Sequence, residues 1–200
     1  MMIDDLREFF IEIKSSAEAF GSKCYDEVLK TFTKKISSKG PIFNVRPYEY
    51  QRAGFEKGKE LERLPKSTKG VYNYYLDSYG KVLLIETYGQ KESIINREYF
   101  IYEDDAIRSI YFNNKISLRN VTYSKVSDGL VIDDINYGKF GESTSLYEYK
   151  EKVLVKINVS QKEHHQQEYS NYIVDFKYND GDLVKITHHF PNGYTEQRYP

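Results

Sequence analysis

Tyr172-Ile173-Val174-Asp175-Phe176-Lys177-Tyr178-Asn179-Asp180-Gly181-Asp182-Leu183 sets the pattern for most of this 200-residue chain. Tyr172, Val174, Phe176 and Tyr178 fall on one side of an extended backbone, and Asp175 and Lys177 fall on the other. A period of two of this kind describes a half-buried strand. Asp-Gly follows at once, a pair favoured in tight hairpins because their central residues need positive φ. A second alternating run continues to Pro191-Asn192-Gly193, so residues 172–199 predict a β-hairpin.

Weaker copies of this unit extend back to Val71. Turns are expected at Asp77-Ser78-Tyr79-Gly80, Glu103-Asp104-Asp105-Ala106, Ser127-Asp128-Gly129 and Lys150-Glu151-Lys152. They recur about every 25 residues, room for two strands of ordinary length and two turns. Opposite connections are expected near Gly89-Gln90, Asn113-Asn114, Gly138 to Gly141, Ser160 to Gln167 and Asn192-Gly193. Residues 71–200 therefore predict an antiparallel up-and-down β-meander of about ten strands, a count that gives a twisted open sheet or a partly closed barrel. The last strand ends Glu196-Gln197-Arg198-Tyr199-Pro200, charged and proline-tipped as natural sheet edges are.

Residues 1–40 predict a helical hairpin. Ile3, Leu6, Phe10, Ile13, Ala17 and Phe20 recur at steps of three and four, with Asp4, Asp5 and Glu8 at the end where the helix dipole favours acids. Gly21 is expected to end this helix. A second, from Ser22 to about Ile36, carries Tyr25, Val28, Leu29 and Phe32 on its apolar face. Residues 41–70 are a connector in which Ile42 to Val45 and Tyr48 to Phe55 are candidate short strands. The run Glu56 to Arg63 is a solvated loop of mixed charge. The fold class is thus α+β, mainly β, one helical layer seeking burial against one sheet.

Charged residues make up 30% of the chain, mean hydropathy is −0.68, and the formal charge is −1. Residues 1–70 hold 14 Lys and Arg against 11 Asp and Glu, and residues 71–200 hold 15 against 19. That balance lacks the basic footprint of a nucleic-acid binder, and no apolar run reaches the roughly 20 residues that span a bilayer. The N-terminus lacks the features of a secretory leader, and the one cysteine, Cys24, forms no internal disulfide; both suit the cytoplasm. Of the 20 tyrosines, 17 follow residue 70, where they suit a sheet with partly wet faces.

Little in the sequence spells out a reaction. His164-His165 and His188-His189 are doublets; strand neighbours point to opposite faces, so a doublet in a strand cannot offer both rings to one metal, and His164-His165, in the polar loop Gln161 to Glu168, would need further ligands from elsewhere. Asp133 and Asp134 stand out because they interrupt an apolar run, Leu130 to Ile135, where an unpaired carboxylate is costly to bury. At least one is expected to face water or a cation. No cofactor or metal is called for, and the chain is expected not to be an enzyme.

Tyr178-Asn179-Asp180-Gly181-Asp182-Leu183, with Pro191-Asn192-Gly193-Tyr194 and Tyr199, resembles the tyrosine-aspartate repeats of Rhs-type proteins. Tyr75-Leu76-Asp77-Ser78-Tyr79-Gly80-Lys81-Val82 carries the likeness more loosely. Small β-hairpin proteins of this composition also resemble the immunity proteins of polymorphic toxin systems of the Rhs and contact-dependent type. That resemblance implies a protein partner, a cognate toxin domain, blocked without catalysis. Against a basic toxin such as a nuclease, Glu103, Asp104, Asp105, Asp128, Asp133 and Asp134 are the candidate contact residues. The other expectation is a glycan- or cell-wall-binding module whose tyrosines stack on sugar rings. Oligomeric state stays open.

Overall fold

The computed structural model of the chain describes every residue except Gln90 and Glu92. Among the described residues there are three helices, α1 (Ile3–Ser15), α2 (Ala17–Thr31) and α3 (Glu49–Arg52). The first strands are β1 (Lys34–Lys39), β2 (Lys59–Glu60), β3 (Val71–Leu76), β4 (Val82–Tyr88), β5 (Ile95–Tyr102), β6 (Ala106–Asn113) and β7 (Ser117–Ser127). The remainder are β8 (Leu130–Gly138), β9 (Gly141–Lys150), β10 (Val153–Glu163), β11 (Ser170–Asn179), β12 (Asp182–His189) and β13 (Thr195–Tyr199).

All thirteen strands form one antiparallel sheet in the order β13 through β3 without a crossover, then β1 and β2. The expected meander of about ten strands past Val71 is eleven, and two more extend its far edge. Turns fall where Asp-Gly and its relatives predicted them. Asp128-Gly129, Glu151-Lys152 and Asp180-Gly181 each have both φ angles positive, the two-residue turn that matches strand twist. Of the expected Gly89-Gln90 connection, Gln90 lies outside the described residues.

The helical boundaries differ from expectation. The first helix stops at Ser15, where polar Ser16 turns the chain, and the second runs through Gly21 to Thr31. Gly21 is buried because it is the point of closest approach to the sheet. A Cβ there would sit 3.3 Å from the Lys115 carbonyl oxygen, and the Gly21 carbonyl accepts a 3.1 Å hydrogen bond from the Tyr99 hydroxyl. Ile36, expected on the second helix, lies on β1, which pairs with β3 along its whole length. In the connector, Ile42 to Val45 is not a strand, and Tyr48 to Phe55 holds the short helix α3.

The helices cover one face of the sheet. Leu6, Phe10 and Ile13 of α1 and Val28 of α2 pack on Tyr75, Leu84, Tyr99, Ile110, Phe112, Val121 and Ile135, taken from β3 to β8. The connector covers the other face. Phe43 meets Tyr74 edge-on, Tyr50 meets Tyr72 at 5.8 Å, and Tyr48 lies 5.6 Å from Phe176. Gly54 reaches β13, where a Cβ would lie 3.6 Å from the Arg198 carbonyl oxygen.

These contacts require curvature. In a flat sheet β3 and β13 would be about 48 Å apart, ten steps of ~4.8 Å. Tyr50 and Gly54 are four residues apart, a reach of at most roughly 14 Å, yet they touch those two strands. The sheet therefore curls around its connector while its edges, β13 and β2, stay unpaired among the described residues. Bulges supply the bend: ladder registers slip at Tyr75/Leu76, Lys125/Val126, Leu154/Lys156 and Lys177/Tyr178, each beside a turn at the same end of the strands.

Candidate functional site: the acidic mouth of the curled sheet

Strands that alternate in direction send every second turn to the same end. Here those turns carry Asp77, Glu103, Asp104, Asp105, Asp128, Glu151 and Asp180, against Lys81 and Lys152. The opposite connections within β4 to β13, among the described residues, carry Lys91, Lys115 and Lys139, with Glu168 as their acid. One end of the sheet is thus an acidic rim and the other is mildly basic.

At the acidic end is a hollow of about 520 Å³ between the connector, at Val45, Pro47 and Tyr48, and the ends of β6 to β11, with Lys152 the one charged residue in its lining. Its walls include Tyr149, Tyr178, Val131 and Leu154. The tyrosines are fixed by a repeated device. The Tyr149 hydroxyl donates to the Val131 carbonyl at 2.7 Å and the Tyr178 hydroxyl to the Leu154 carbonyl at 2.8 Å. Tyr102 donates to the Val82 carbonyl at 3.0 Å in the same manner. Each tyrosine stands just before one turn and ties it to the strand that follows the preceding turn. Burial pushes the Tyr149 phenol up to about 12, so it remains a donor throughout the neutral range. Tyr48 has a left-handed backbone, φ 51°, held by its ring against Phe176 and Tyr178.

Beneath the mouth, the connector inserts charge into the sheet. Arg46 contacts Glu49 at 2.8 Å, Glu98 at 3.0 Å and the Ser109 hydroxyl at 3.0 Å. Burial opposes its charge, but Glu49, Glu98 and Asp134 outweigh burial and hold its pKa well above the ordinary arginine value. Nearby the Tyr147 hydroxyl donates to Asp134, and Arg52 reaches that same hydroxyl at 3.4 Å.

The six acids singled out in the sequence separate in three directions. Asp104, Asp105 and Asp128 are exposed on the rim, and Glu103 is beside them in a 2.7 Å pair with Arg108. Asp133 projects to the helix-covered face, aligned with Lys125 and Leu146, where burial and then Asp134 raise its pKa. Asp134 is 7% exposed on the concave face, so it cannot share a surface with the others. The doublets divide as strand geometry requires: His188 points inward and is buried, and His189 points outward to Asp175 at 3.1 Å. His164 Nε2 lies 2.8 Å from the Gly138 carbonyl oxygen and His165 beside Glu163. Among the described residues, no three His, Cys, Asp or Glu side chains gather as a metal would need, and no helix is long and apolar enough to cross a membrane.

Sequence reasoning missed Tyr48, Tyr149 and Tyr178 as parts of a site. A signal existed, since Tyr102, Tyr149 and Tyr178 each precede an acidic turn by one or two residues. No family model matches the chain, and no curated protein matches it in sequence.

Proposed function

We propose that this protein is an immunity protein that binds a cognate toxin domain with a basic surface and neutralises it by occlusion, without catalysis, in the cytoplasm of the producing cell. The observation that carries this reading is the mouth itself, an aromatic and aliphatic hollow at the end of the sheet where successive hairpin tips carry acids. Tight protein interfaces have this anatomy, with an aromatic centre that excludes water and a charged rim. The rim would speed capture of a cationic partner and disfavour acidic ones. A nuclease domain, whose own substrate demands positive charge, fits such a rim.

The test is co-expression with the product of the neighbouring gene, followed by association kinetics. The triple change Asp104→Lys, Asp105→Lys and Asp128→Asn alters exposed tips only, and Asn tolerates the left-handed backbone of position 128. It should leave thermal unfolding unchanged, slow association at least tenfold and abolish growth rescue. Failure of any neighbouring product to bind, or wild-type kinetics in the triple variant, would exclude the proposal.

A further inference from the structure

The concave face changes character along the strands. At the acidic end it is aromatic and aliphatic. At the opposite end a single in-register row crosses five neighbouring strands as Thr122, Asn136, Ser143, Gln161 and Ser170. All five are uncharged and all carry hydrogen-bonding side chains. Asn136, Ser143, Gln161 and Ser170 line a hollow of about 600 Å³ together with Asn120 and Gln166, a size ordinary for small-molecule sites.

The hollow is partly preorganised. Asn136 Oδ1 accepts from Asn120 Nδ2 at 2.9 Å and from the Thr122 hydroxyl at 3.0 Å. Those bonds commit one end of each amide and leave the Asn136 amino group as donor and the Asn120 carbonyl oxygen as acceptor. Gln161 adds a third amide, exposed, across the row. Of the charges that line the hollow, Glu142 is held by Arg7, Lys162 and the Tyr169 hydroxyl and Glu163 pairs with His165 at 3.3 Å, while Arg119 and Lys139 lie at the rim, 4.2 Å and 5.5 Å from the Phe140 ring. Phe140 is half-exposed at the rim.

We infer that this hollow binds a neutral sugar of one or two pyranose rings. An amide presents a donor beside an acceptor, which matches vicinal hydroxyls that each donate and accept. The uncharged row gives a charged ligand no ion pair at its floor, and burying an unpaired charge is costly. Phe140 offers an apolar edge for the C–H face of a ring. The site lies at the other end of the strands from the acidic mouth and does not rest on the toxin reading.

Titration of the ¹⁵N-labelled protein with maltose, cellobiose and N,N′-diacetylchitobiose, each to about 20 mM, tests the site against a Kd of about 1 mM or tighter. At least one sugar should shift the side-chain amide resonances of Asn136 and Gln161 saturably, while that of Asn192 stays fixed. Gln161→Ala, exposed and safe for folding, should weaken binding at least fivefold, and Asn136→Ala at least tenfold if its urea unfolding is intact. No shift with any of the three sugars, equal shifts at Asn192, or unchanged affinity in Gln161→Ala would overturn the inference.

Discussion

Replacing Arg46 with Met removes the charge that fastens the connector inside the sheet while keeping most of its volume. The Arg46 side chain is 17% exposed, and those of Glu49 and Glu98 are 11% and 15%. At about 3 Å and an effective dielectric of ~20, each pairing is worth about 5 kcal/mol of Coulomb attraction, most of it offset by desolvation. Deleting one partner leaves that desolvation uncompensated, so Arg46→Met should cost about 3–5 kcal/mol. With a urea dependence of about 2–3 kcal/mol/M, the unfolding midpoint should fall by roughly 1–2 M. The loss should also depend on pH. Burial already holds Glu49 above the usual carboxylate range, with Arg46 pulling it back, and without Arg46 it rises further. A carboxyl whose folded pKa exceeds its unfolded one weakens the fold at pH above the folded value, and the penalty fades as protons are taken up below it. The deficit should therefore be larger at pH 8 than at pH 5, and adding Glu98→Gln to Arg46→Met should restore part of it. A cost under about 1 kcal/mol, or an equal cost at both pH values, would refute the account of a buried clamp.

Other expectations follow from single residues. His188 is buried against Tyr172 and Phe190, and burial first, then Arg198 and Arg52 with His189, holds its pKa at about 4, Glu196 opposing. The unfolded chain binds this proton more readily, so stability should be complete above about pH 6.5 and fall by about 3 kcal/mol on acidification to pH 4. His188→Phe should remove that slope, as urea titrations at several pH values would show. Lys152 occupies a left-handed position, φ 67°, so Lys152→Gly should stabilise by about 1 kcal/mol and raise Tm by about 2–4 °C in calorimetry. Phe10 is 4% exposed and packs edge-on against Tyr137, so Phe10→Ala should cost about 3–5 kcal/mol by urea unfolding. A loss under about 1 kcal/mol would mean that α1 contributes little to the sheet.

The amino-acid sequence by itself determined the hairpins and their turns. Alternation at Tyr172 to Tyr178 and the Asp-Gly pairs act between residues near in the chain, and local sterics allow them few alternatives. It also determined that two helices lead the chain, because the apolar stripe from Ile3 to Phe20 is a local pattern too. Gly21 does not end a helix but lies within the second one, at a close approach to Phe112 and Lys115 that only the tertiary structure shows. The connector is the clearest case. Nothing local in residues 41–58 says that Arg46 finds Glu98, Tyr48 finds Phe176, or Gly54 meets the last strand, since those partners are 52 to 144 residues away. The candidate site divides the same way. Acids at Glu103 to Asp105 and Asp128 were visible as turn residues, but alternating strand direction places them on one rim, and curvature decides that tyrosines stand behind them. Asp133 and Asp134 are adjacent in sequence and separated by a sheet, because a strand sends successive side chains to opposite faces.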